Sequence, residues 1–143
     1  MTKFSTRPRT VPSSWSIEYI LWIFMRVSGM AIIAIALIGA IGAFWMGARH
    51  QLDLQMLWRW MFMPNTYHIS SGDIPDLEPW ANAWWQTMQL LVVFFGVTHA
   101  FNGVRQVIED YIGHRVTVIL LRGLLFFSWL ASLLVAAFVI FQA

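Results

Sequence analysis

The chain has 143 residues, of which 59% are hydrophobic, 16% aromatic and only 11% charged, with a formal net charge of +2. Ordinary globular domains carry about 45–50% apolar and about 25% charged residues, and a small domain must leave much of its surface in water, so a water-soluble fold is excluded. The low net charge and the lack of a basic run leave nucleic-acid binding without a footprint, and the absence of cysteine excludes disulfides, thiolate metal sites, cysteine nucleophiles and iron–sulfur ligation by this chain.

Three stretches lack Asp, Glu, Lys and Arg: 27–48 (22 residues), 79–104 (26 residues) and 123–143 (21 residues). Each can cross about 30 Å of hydrocarbon at about 1.5 Å of helical rise per residue. This predicts an all-α membrane protein, a single domain over 1–143 with transmembrane helices at about 17–47, 82–111 and 116–142. At the N-terminus, Lys3, Arg7 and Arg9 precede an apolar run, as in a signal peptide. The run exceeds the roughly 7–15 residues of a signal core and contains Arg26, so it reads as a retained first helix.

The connection at about 48–81 carries Asp53, Asp73, Asp76 and Glu78 and is punctuated by Pro64, Gly72, Pro75 and Pro79. Trp58, Trp60, Tyr67, Trp80, Trp84 and Trp85 suit an aromatic belt or a short amphipathic segment on the membrane surface. With three spans, the N-terminal tail and the second connection share one side, which holds seven basic residues against two on the other. The positive-inside rule makes that side cytoplasmic and the C-terminus external.

Ionisable residues within membrane helices cost about 2.5–3.5 kcal/mol on insertion scales, so each is a functional candidate. His50 and His68 lie in the external connection and His114 in the internal one, where surface roles suffice. His99 lies inside the second charge-free run, about 21 Å along the helix from Trp85 and about 9 Å from Arg105. Its imidazole suits either an interhelical hydrogen bond or axial ligation of haem iron. Gly103, one turn further on, admits a close approach by a macrocycle or by another helix. Arg26 and Arg105 stand at the cytoplasmic ends of neighbouring helices, where haem propionates or lipid phosphates would pair with them. Asp110 and Tyr111 lie about 17 Å nearer the cytoplasm than His99. There Tyr111 is either an interfacial tyrosine or a hydrogen-bond donor to a quinone.

Phe-Met-Arg-Val-Ser-Gly (24–29) and His-Ala-Phe-Asn-Gly-Val-Arg-Gln-Val-Ile-Glu-Asp-Tyr (99–111) resemble the membrane-anchor subunits of succinate dehydrogenase and quinol:fumarate reductase. The resemblance implies half of a six-helix bundle completed by a second membrane-anchor subunit, beneath a flavoprotein with FAD and an iron–sulfur protein in a bacterial inner membrane. It implies that His99 is an axial ligand of haem b and that Arg26, with Arg105 as a weaker candidate, pairs with the propionates. Tyr111 and Asp110, together with Arg26 and Ser28, would form the quinone site, for ubiquinone or menaquinone. One branch of the family has a serine where this chain has Trp22. Another has a second histidine in the first helix, where residues 30–46 have none, so a sister subunit would supply the other haem ligand. The alternative is a haem-free structural or transport subunit of another membrane complex, with His99 bonded between helices. A reporter fused after Ala143 is expected to read as external; a cytoplasmic reading would contradict the three-span orientation.

Overall fold

The computed structural model describes residues 16–62 and 77–142. Lys3, Arg7 and Arg9 of the tail, and Pro64, Tyr67, His68, Gly72, Asp73, Pro75 and Asp76 of the first connection, lie outside the described residues. The described residues form four helices and no strand: α1 (Ile17–Arg49), α2 (Leu54–Phe62), α3 (Pro79–Tyr111) and α4 (Arg115–Gln142). α1, α3 and α4 are long and apolar enough to cross a membrane. At 33 residues each, α1 and α3 measure about 50 Å at about 1.5 Å per residue, more than the hydrocarbon alone requires.

Local chemistry sets the helix ends. The Ser16 hydroxyl accepts from the Tyr19 N–H at 3.1 Å and caps α1. Asp53 caps α2 in the same way, its Oδ1 accepting from the Met56 N–H at 2.7 Å. Pro79 occupies the first turn of α3, where a missing N–H costs nothing, so this helix starts three residues before the expected position 82. The preceding Glu78 makes no capping bond; its carboxylate instead meets His50 Nε2 at 2.9 Å, tying the end of α1 to the start of α3. Residues 112–114 connect α3 to α4, and His114 Nδ1 accepts from the Thr117 N–H at 3.4 Å.

The three long helices alternate in direction, with α3 packed against both α1 and α4. Residue pairs across α1 and α3 run in opposite order: Leu21 with Asn102, Ser28 with His99, Gly39 with Trp85. The same holds for α3 and α4, through Glu109 with Arg122, Thr98 with Trp129 and Gln86 with Ile140. The hydrophobic core lies at the α2 end. It consists of Ala43, Met46, Leu57, Trp60, Leu77, Ala81 and Trp85. Trp60 is fully buried and donates its indole N–H to Asn82 Oδ1 at 2.7 Å. Trp85 Nε1 and Gln89 Nε2 both donate to the Met61 carbonyl at the end of α2, satisfying an acceptor that the helix itself leaves open.

α2 is held against the bundle because the Trp60 indole finds there both an apolar bed and a polar partner. α1 supplies the bed with Gly39, Ala43 and Gly47, small residues at four-residue spacing that let bulky neighbours approach its backbone. Beside this stripe, a Cβ added at Gly42 would stand 2.2 Å from the Trp84 ring. Gly42→Ala must therefore displace a rigid indole, at a cost of about 1–3 kcal/mol. Gly96→Ala, whose Cβ meets nothing within 4 Å, is the control. Thermal unfolding of the purified protein in detergent is expected to show a lower midpoint for Gly42→Ala only; equal midpoints would contradict this packing.

Candidate functional site

Three polar side chains of the membrane-spanning helices, Ser28, His99 and Asn102, lie where α1 crosses α3. Ser28 has no exposed surface, and its Oγ lies 2.8 Å from His99 Nδ1. The same Oγ is 3.5 Å from the Met25 carbonyl, one turn back on α1. His99 Nε2 makes no hydrogen bond among the described residues, and it is not among the side-chain atoms they bury. The ring edge at Cε1 lies beside Gly29, at 3.7 Å from where a Cβ would stand. A Cβ at Gly103 would stand 3.6 Å from the Met25 methyl, an ordinary van der Waals contact, so Gly103 faces α1 but the close approach of that helix does not require a glycine there. One turn from His99, Asn102 is also buried and donates to the Leu21 carbonyl at 3.2 Å, while its Oδ1 has no partner among the described residues.

The other candidates lie around this junction without converging on it. Arg26 is exposed, with its guanidinium 4.0 Å above the centre of the Trp22 ring. Trp22 thus serves as a flat support for the charge. Two positions of helical rotation separate Arg26 from Ser28 and turn their side chains to nearly opposite sides of α1. Arg105 faces α4. Its Nε lies 3.4 Å from Glu109 Oε1, which also receives Arg122 Nε at 2.9 Å. This three-member ion network pins α3 to α4 and leaves one net positive charge.

Asp110 and Tyr111 are exposed at the end of α3, with Tyr111 78% accessible. Twelve residues of helix separate Tyr111 from His99, about 18 Å along the axis. The described residues contain no cluster of three His, Cys, Asp or Glu side chains suited to a bare metal ion. A haem asks less of the protein, because its macrocycle supplies the equatorial nitrogens and only axial ligands remain to be provided. A fixed imidazole with one engaged nitrogen and one unbonded nitrogen fits that demand.

Sequence spacing alone did not identify Ser28 as the partner of His99, Glu109 as the bridge between two arginines, or Asn102 as a buried polar contact. Asn102 carried a usable signal: a polar residue three positions after His99 in a charge-free run shares a helix face with it. The Ser28 contact had no such signal, because it joins residues 71 positions apart.

A family model described as Succinate dehydrogenase/Fumarate reductase transmembrane subunit matches residues 5–141. No curated protein and no solved structure shows significant similarity to the chain.

Proposed function

Because the chain belongs to the succinate dehydrogenase/fumarate reductase transmembrane-subunit family, we propose that it anchors a succinate:quinone oxidoreductase in a bacterial inner membrane. In this reading it binds haem b through His99 and contributes Tyr111 to the quinone site. It is a multi-pass membrane protein, and the proposed orientation puts the N-terminus and the α3–α4 turn in the cytoplasm. The proposed partners are a flavoprotein with FAD, an iron–sulfur protein and a second anchor that completes a six-helix bundle and supplies the other haem ligand. The observation that carries the haem reading is the state of His99, held at Nδ1 and unbonded at Nε2. A haem-free structural subunit accounts for the first nitrogen and would need a partner from outside this chain for the second.

Haem b, when bound, supplies one-electron oxidation and reduction within the bilayer. The residues of this chain bind and orient. Arg26 makes no ion pair among the described residues, and it would have to swing from Trp22 around α1 to reach a propionate of a haem on His99. Arg105 would first have to exchange Glu109 for a propionate. At the end of α3, the neutral Tyr111 hydroxyl can donate to a quinone oxygen without the cost of burying a charge. The neighbouring Asp110 carboxylate can carry protons to that oxygen as electrons arrive. The iron–sulfur and sister subunits would close the site around them, which accounts for the exposure of Tyr111 in the single chain.

Two measurements test this reading. A flavoprotein and an iron–sulfur protein are expected to co-purify with the tagged chain, and their absence would contradict the assignment. Tyr111→Phe is expected to slow quinone reduction while succinate oxidation by a soluble artificial acceptor continues. A hydrogen bond of about 1–3 kcal/mol, made more strongly in the transition state, corresponds to roughly a five- to 150-fold loss. Unchanged quinone reductase activity in an assembled complex would place the quinone elsewhere.

A further inference from the structure

We propose that Ser28 is a positioning residue for His99, holding the imidazole so that Nε2 is presented to haem iron and tuning the iron through the bond at Nδ1. The inference rests on the haem reading above and goes beyond it by assigning Ser28 a role toward the ligand instead of toward the quinone. The hydroxyl is fully enclosed between α1 and α3 and stands 2.8 Å from Nδ1, so water does not compete for it. The Met25 carbonyl, 3.5 Å from Oγ, offers the hydroxyl proton an acceptor on its own helix and so favours one direction for the bond. Serine hydroxyls inside helices donate to carbonyls of the preceding turn. With its proton directed to Met25, Ser28 Oγ accepts from His99 Nδ1–H.

That tautomer places the lone pair on Nε2, the nitrogen that makes no hydrogen bond among the described residues. Gly29 faces the Cε1 edge of the ring, which would make ordinary van der Waals contact with a Cβ there, so the imidazole lies along the side that faces α1. A ligating histidine that donates its second N–H becomes a more basic donor, and loss of such a partner typically weakens metal binding by about 10–100-fold. A more basic donor favours the ferric state. Removing the acceptor at Ser28 should therefore move the balance toward ferrous iron.

The test is potentiometric titration of the b-type α band in the complex purified through this chain, comparing wild type, Ser28→Ala and Ser28→Thr. Ser28→Ala is expected to retain haem and to favour the ferrous state by roughly three- to tenfold, an upward shift of about 30–60 mV for one electron. Ser28→Thr, which keeps the hydroxyl, should titrate near wild type. If Ser28→Ala loses haem during purification, reconstitution with added haem gives the same comparison. An affinity about 10–100-fold weaker than that of Ser28→Thr supports the assignment. Equal potentials in wild type and Ser28→Ala, equal reconstitution affinities in the two variants, or a Ser28→Thr variant that behaves like Ser28→Ala would overturn it. A wild-type complex with no b-type band is a separate failure, which removes the haem reading itself.

Discussion

A neutral imidazole in hydrocarbon has to find partners for its nitrogens, because no water is available there to supply them. In this chain that requirement is met at one nitrogen by Ser28, and the contact sets the level at which α1 and α3 cross. The Asn102 amide on the Leu21 carbonyl supports the same crossing, about one turn from His99 along α3 and about two turns from Ser28 along α1. Such bonds contribute about 0.6 kcal/mol on average between membrane helices, so their effect is one of register more than of stability. Once Ser28 faces α3, the helical repeat turns Arg26 outward over Trp22. Likewise, once His99 faces α1, Arg105 and Glu109 point toward α4. The placement of Arg26 and Arg105 follows from that rotation.

Packing is uneven along the bundle. At the α2 end, small residues of α1 receive tryptophans and leucine, and polar bonds from Trp60, Trp85 and Gln89 tie α2 to α3. Through the membrane-spanning region, most large apolar side chains face away from the chain, among them Met30, Ile33 and Leu134, each more than 60% accessible. In a bilayer such exposure is not penalised by water, and it leaves the same faces available to other helices. At the opposite end, the Arg105–Glu109–Arg122 network joins α3 to α4. The chain is thus fastened at both ends, with Ser28, His99 and Asn102 as the polar points between α1 and α3.

The helices were legible because hydrocarbon imposes a length and excludes charge, and the runs at 27–48, 79–104 and 123–143 satisfy both conditions. The short surface helix was legible only as an amphipathic possibility. Its definition comes from the Asp53 cap and from Trp60 reaching Asn82, and the second of these depends on how distant segments meet. The family was legible from Arg26–Gly29 and His99–Tyr111 in that order, and the match over 5–141 agrees. The relations among the site residues were not. Spacing along one helix shows which residues share a face, but not which face meets a neighbour. Ser28 therefore resembled a pocket residue until its hydroxyl was seen against His99, and Arg105 resembled a free cation until Glu109 was seen beside it.

The proposed roles of Ser28, Arg26 and Arg105 all depend on His99 holding a haem. The most direct measurement is the reduced-minus-oxidised visible spectrum of the complex purified through this chain, for wild type and for His99→Ala. A sharp b-type α band is expected in wild type, and its loss or severe alteration in His99→Ala, with the three helices still inserted in the membrane. An undiminished band in the variant, or no band in the wild type, would contradict haem ligation by His99.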